Sequence, residues 1–298
     1  MNLLRTISTA LILLTSAQVE AAPERVVYKT VGTRELAFEV DRPPGWTAAD
    51  KRPAIVFFFG GGWTGGKPEQ FRSQAEYFAK RGLVCFRADY RVKSRDGVLP
   101  SACVEDALDA TRWVRSHAAE WGIDPGKIIA AGGSAGGHLA ACTFLVNGDD
   151  AAVSPKANAL LLYNPVVDLT ALGNTSDNGL TRGLDEAEAR RISPALLDIK
   201  TLPPTLVMVG TRDRFHPQIR SFVDKSVAAG AKVELFEAEG QPHGFFNKAP
   251  WQEKTTAQAD AFLVRLGYLE KSSAEQPDQH QPGGNSVNRS PEHGPVAE

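Results

Sequence analysis

The stretch Lys127–Ala140, KIIAAGGSAGGHLA, changes character at its centre. KIIAAG reads as a strand, and the residues from AGGHLAACTFLV read as a helix. Between them, Gly132-Gly133-Ser134-Ala135-Gly136 spells G-x-S-x-G. A serine on so sharp a strand-to-helix turn needs glycines on both sides, because side chains at 132 or 136 would collide with it. The helix N-terminus behind Ser134 adds partial positive charge where an oxyanion would form. A glycine-rich turn without chemistry has the same local spelling, so the rest of the chain must decide.

Working outward, short β-rich runs alternate with helical stretches. RVVYKTV and LAFEV open the chain as a pair of strands, and AIVFFF (54–59) is continuously apolar, as in a strand buried on both faces. A helix is expected from about Pro68, proline being favoured at a first helical position. LVCFRAD (83–89) reads as a strand, and SACVEDALDATRWVRSHAAEW as a long amphipathic helix opened by Ser101. ANALLLYNP, PTLVMVG (204–210) and KVELFEA (232–238) are further strands, and TAQADAFLVRLGYL is the last helix. This alternation predicts an α/β fold, with a mostly parallel central sheet covered by helices on both faces. In such sheets ligands bind at the carboxyl ends of the strands. The turn after PTLVMVG holds Asp213, and the turn after KVELFEA holds His243. Ser134, Asp213 and His243 thus occur in the order of an α/β-hydrolase triad, all at strand ends on one edge of the sheet. Asp168 follows a strand too early in the topology, His216 lies too close to Asp213, and His117 and His138 fall on helices.

The loop FFFGGGWTGGKP, Phe57–Pro68, carries five glycines after a strand. As a phosphate loop it fails at Pro68, where a hydroxyl residue should bind magnesium. As a dinucleotide fingerprint, Gly60-x-Gly62-x-x-Gly65 with Asp89 downstream fits better, but some phase of a glycine-rich run always fits. With a nucleophilic serine elsewhere, an oxyanion hole is the reading that accounts for the other turns as well.

The chain has 298 residues, 42% of them hydrophobic, and a net charge of −2. That allows a full core and offers no basic excess for nucleic acid or anionic lipid. Residues 1–21 read as a signal peptide: Arg5, a short apolar run, then small residues ending at Ala21, with export to the periplasm or the medium expected. The apolar run is far shorter than the ~20 residues of a membrane span. The hydrolase domain is expected over 25–269, with a helical insert at about 168–202, and 271–298 as a disordered tail rich in Pro, Gly, Ser and Gln. Cys85, Cys103 and Cys142 fit no zinc spacing and read as small core residues.

With FGGGW, DYR (89–91), GIDPGKI, GGSAGGHLA and PHGF in view, the chain resembles the hormone-sensitive-lipase-like serine esterases of the α/β-hydrolase superfamily over roughly Arg25–Leu269. The spelling GGSAGGHLA resembles the exported bacterial carbohydrate acetyl- and feruloyl-esterases within that group. The resemblance implies Ser134 as nucleophile, His243 as general base then acid, and Asp213 as the residue that orients it. It implies the N–H groups of Gly61, Gly62 and Ala135 as oxyanion donors, no metal or organic cofactor, and a small-molecule or carbohydrate ester as substrate. A peptidase or acyltransferase on the same fold, or a non-catalytic binding protein, would share these residues. Two positions depart from the family pattern. Phe59 stands where a loop-bracing histidine is usual, and Gly133 where many relatives carry an acidic residue. The family's lipid-active members also carry an N-terminal helical cap; here a hairpin is expected in its place, which implies an open cleft.

Overall fold

The computed structural model describes residues 23–146, 152–172 and 183–271. The chain runs β1 (Glu24–Val31), β2 (Arg34–Asp41), β3 (Arg52–Phe58), α1 (Arg72–Lys80), β4 (Val84–Ala88), α2 (Lys93–Asp96), α3 (Pro100–Ser116) and β5 (Ile123–Gly133). It continues α4 (Ala135–Leu145), β6 (Ala159–Tyr163), α5 (Glu186–Arg191), β7 (Thr205–Gly210), α6 (His216–Ala228), β8 (Val233–Ala238) and α7 (Trp251–Arg265). The strands form one sheet in the order β1-β2-β4-β3-β5-β6-β7-β8. β2 is antiparallel to both β1 and β4, and every other neighbouring pair is parallel. The expected mostly parallel α/β architecture is therefore present, and residues 23–51 form the hairpin expected in place of a helical cap.

Strand pleating divides β3 between two apolar layers. Ile55 and Phe57 join Phe71, Phe78, Phe262 and Leu263, where α1 and α7 cover one face. Ala54, Val56 and Phe58 join Val104, Leu139 and Phe222, where α3, α4 and α6 cover the other. Side chains alternate between faces along a strand, so a run with no polar position is what burial on both sides requires. Cys85, Cys103 and Cys142 are buried and free in these layers, as their apolar settings suggested.

Helix ends differ from expectation for local reasons. The helix placed from about Pro68 begins as a 3₁₀ turn, Pro68–Phe71, and becomes α1 at Arg72. α3 opens at Pro100, with no side-chain cap from its preceding residue, Leu99; Ser101 lies inside it. It stops at Ser116 because the chain must turn through Gly122 (φ 58°) to enter β5. α7 starts at Trp251 and ends at Arg265: Gly267 (φ 70°) reverses the chain, and the N–H groups of Tyr268 and Leu269 return to the Leu263 carbonyl at 2.9 and 3.3 Å. Within the insert, α5 is capped by Asp185, whose carboxylate accepts the Glu188 N–H at 2.8 Å. Ala189 and Ile192 bury into the α4 side of the core. Residues 173–182 of the insert, the expected signal peptide and the expected tail beyond Lys271 lie outside the described residues.

The segment Asp89-Tyr90-Arg91 ties the sheet edge to the helical layers. Asp89 pairs with both Arg34 and Arg95. Arg91 donates to the fully buried Asp106 of α3 from its backbone N–H (3.0 Å), Nε (2.8 Å) and Nη2 (2.9 Å). Lys29 of β1 donates to the same carboxylate at 2.7 Å. Asp106→Ala would leave Arg91 and Lys29 without their shared anion, and should cost about 3–5 kcal/mol. Denaturant unfolding of the two proteins checks this, and a loss below about 1 kcal/mol would show the network to be merely superficial.

Candidate active site

The site is built at the carboxyl ends of β3, β5, β6, β7 and β8. Ser134 follows β5 directly and has φ 56° and ψ −119°, a left-handed conformation costly for a residue with a side chain. Its N–H is held by the Tyr163 carbonyl at 2.9 Å, and its own carbonyl accepts from His138 N (3.0 Å) and Val166 N (3.3 Å). A Cβ at Gly132 would run into the Gly136 backbone, and one at Gly136 into the carbonyls of Phe58 and Phe59. The glycines therefore let the turn pack against the end of β3 as well as against itself.

Asp213 lies in the turn after β7 and its side chain is wholly buried. Its Oδ1 accepts the Phe215 N–H at 2.9 Å, and its Oδ2 accepts from His243 Nδ1 at 2.7 Å. The loop carrying His243 is stitched to the Asp213 turn. Arg212 N donates to the Gln241 carbonyl (3.0 Å), Gly240 N donates to Thr211 Oγ1 (2.8 Å), and a Cβ at Gly210 would strike Gln241. His243 Nε2 lies 2.8 Å from Ser134 Oγ. An ionised carboxylate can only accept, so Nδ1 carries the proton and Nε2 is left to accept the serine hydroxyl. The three residues singled out in the sequence thus meet as one continuous hydrogen-bonded chain.

Gly61 (φ 133°), Gly62 (φ 61°) and Trp63 (φ 57°) make the neighbouring loop a left-handed arc. Together with Ser134 and His243 they line a cleft of about 290 Å³. Among the described residues, no acceptor takes the N–H of Gly61, Gly62 or Ala135. Three supports hold the arc in place of the usual histidine. Phe59 is buried and stacks on Tyr90 (centroids 4.0 Å apart, 15° between planes), and the Tyr90 hydroxyl donates to the Phe59 carbonyl at 2.6 Å. Gln70 Oε1 accepts the Gly60 N–H at 2.6 Å. Trp63 Nε1 donates to His138 Nδ1 at 3.2 Å, and His138 Nε2 reaches the Ile192 carbonyl at 2.6 Å. Gly66 completes the fit, since a Cβ there would strike the Phe59 ring.

Gly133 is explained by Phe246. The ring of Phe246, from the His243 loop, fills the space a Gly133 Cβ would need, and packs on Tyr163 with centroids 5.0 Å apart. The rivals have other partners. Asp168 Oδ1 accepts from Thr170 N (2.9 Å) and caps its own turn; His216 pairs with Glu237 at 2.7 Å; His117 stacks on Trp113. Sequence reasoning missed Asn164, which is buried at φ 36° and whose Oδ1 accepts the Gly244 N–H at 3.3 Å, next to His243. It follows a strand on the catalytic edge, so the strand-end rule that found the others also reaches it.

The family model for the alpha/beta hydrolase fold matches residues 55–247, and the chain belongs to that family. It is a carboxylic ester hydrolase of the hormone-sensitive-lipase-like kind, as its similarities agree. It is 28% identical to the carboxylesterase NlhH of Mycobacterium tuberculosis over 274 residues, 83% of this chain and 84% of that protein. It is 31% identical to the carboxylic ester hydrolase LipN of the same species over 235 residues, 69% of this chain and 60% of that protein. Among solved structures it is similar to the thermophilic esterase 2 of Thermogutta terrifontis in its propionate-bound form: 45% identity, TM-score 0.78, 85% of this chain and 97% of that one.

Two outcomes test the supports. Burial pushes the His138 imidazole down to about 4, opposed by its hydrogen bond to the Ile192 carbonyl. The unfolded chain titrates this group near ~6.5, so between those values the unfolded state binds the extra proton. Stability from His138 is therefore complete above about pH 6.5 and falls, by up to about 1.4 kcal/mol per unit, as the pH drops toward 4. His138→Gln, which keeps a donor and an acceptor but cannot titrate, should flatten that fall in thermal melts; parallel profiles for the two proteins would refute it. Gly133→Asp should cost about 1–3 kcal/mol through collision with Phe246, and Phe246→Ala should recover part of the loss in a double-mutant cycle.

Proposed function

We propose that this esterase works through Ser134 as nucleophile, His243 as general base and then acid, and Asp213 as the group that orients His243 and stabilises its cationic form. The observation that carries the reading is the unbroken chain Asp213 Oδ2–His243 Nδ1 (2.7 Å) and His243 Nε2–Ser134 Oγ (2.8 Å). As Ser134 Oγ bonds to the ester carbonyl carbon, its proton passes to Nε2. The carbonyl oxygen becomes an oxyanion on the N–H groups of Gly61, Gly62 and Ala135, at the start of α4. The departing alcohol takes the proton from Nε2. Water then repeats the sequence on the acyl-enzyme, releasing the acid.

The substrates we infer are esters of short acyl groups, acetyl or feruloyl groups on carbohydrate among them. The modest cleft supports a short acyl chain, as do the propionate- and butyrate-bound forms of the similar Thermogutta esterase. The spelling GGSAGGHLA supports the carbohydrate side. Residues 1–21 support export as a cleaved signal peptide, and N-terminal sequencing of the secreted protein tests it: a mature chain beginning near Ala22 is the expected result.

The catalytic assignment predicts that a fluorophosphonate labels Ser134 in the folded protein, and that Ser134→Ala or His243→Ala lowers kcat for p-nitrophenyl acetate by about 10⁴–10⁶. An unlabelled Ser134, or undiminished turnover in Ser134→Ala, would sink it.

A further inference from the structure

Apart from His243, one side chain among the described residues lining the cleft can carry charge: Arg214. It sits between Asp213 and Phe215, in a turn fixed on both sides by the Asp213 Oδ1 bond to Phe215 N (2.9 Å) and by His216 N donating to the Asp213 carbonyl (3.0 Å). Its guanidinium lies over the Phe215 ring, 4.5 Å from the centroid. That ring meets His243 edge-on, at 5.2 Å and 80°. The arginine is exposed, and among the described residues no carboxylate lies within ion-pair distance of it. On the same side of the sheet, Arg220 is paired to Asp224 and Glu237, while among the described residues Arg212, like Arg214, has no carboxylate in ion-pair distance.

Position gives this cation a direction. In the mechanism proposed above, on which this inference rests, the leaving alcohol takes its proton from His243 Nε2. The alcohol half of the ester therefore lies on the His243 side of the cleft, the side that Phe215 and Arg214 wall. We propose that Arg214 is a specificity residue which selects esters whose alcohol half carries an anionic group, a carboxylate above all, as on an acylated acidic sugar or hydroxy acid. Stacking on Phe215 holds the guanidinium near the reacting bond and limits the rotamer entropy lost when an anion binds. The favourable charge interaction acts in bound substrate and transition state alike, so its effect falls chiefly on KM.

The test compares 3-acetoxybenzoate with 3-acetoxybenzamide, which present the same acetyl ester and differ by a charge on the leaving group. The ratio of their kcat/KM values should favour the anion in the native enzyme. It should fall about five- to tenfold in Arg214→Gln, be largely kept in Arg214→Lys, and fall further in Arg214→Glu. The preference should fade as salt rises to about 0.5 M. An unchanged ratio in Arg214→Gln overturns the assignment and leaves the esterase reading standing. A native protein inert toward both esters, with Ser134 unlabelled by fluorophosphonate, overturns the catalytic reading and this one together.

Discussion

The left-handed backbone of Ser134 is the constraint from which the rest of the site follows. A residue with φ 56° at the end of a strand persists only where its surroundings over-determine it. Here they do so from three sides. The Tyr163 carbonyl fixes its N–H, α4 takes its carbonyl, and the close approach of Gly132 and Gly136 to each other and to the end of β3 leaves no other path for the chain. The same close approach brings the glycine arc after β3 alongside the serine. Ser134 and the glycine arc are therefore placed by one packing event, and the two apolar layers on either side of β3 hold that event in place.

The partners of Ser134 are held by a different kind of bond. Asp213 and His243 sit on loops whose stitching is polar: backbone to backbone, and backbone to Thr211. The glycine arc is held mainly by aromatic contact, Phe59 on Tyr90 and Trp63 on His138, with hydrogen bonds at the ends of each pair. A family position usually occupied by histidine can thus become Phe59 without loosening the loop, because ring stacking against Tyr90 replaces the polar brace. In the same way Gly133 gives up a side chain, and Phe246 from the His243 loop fills the space. Each departure from the family pattern has its compensation in another element.

Much of this was legible in the sequence because the signals were local. The continuous apolar run of β3, the strand-turn-helix at Ser134 and the strand-end positions of Asp213 and His243 each lie within a dozen or so residues. The three then met within hydrogen-bond distance. What escaped was what depends on contacts between distant segments. Nothing within residues 57–68 announces Tyr90, Gln70 or His138 as supports for the arc, and nothing beside Gly133 announces Phe246. Helix ends were misplaced at Trp121 and Leu269 for a related reason: propensity continued past the points where the chain turns, at Gly122 and Gly267. Asn164 was within reach, since it closes a strand on the catalytic edge, but its role shows only once Gly244 is seen to donate to it.

The three buried thiols carry a consequence for how the protein is lost. Burial pushes the Cys85 and Cys142 thiols well up, and Cys103 up to about 12, so in the native state none offers a thiolate to an oxidant. Unfolding exposes all three at once, and an odd number cannot pair off within one chain. Under oxidising conditions an unfolded molecule therefore acquires crosslinks the native structure lacks, including links between chains. Crosslinking of that kind would make unfolding a one-way loss in the absence of a reductant, and the working lifetime of the enzyme would then be set by how slowly the core opens.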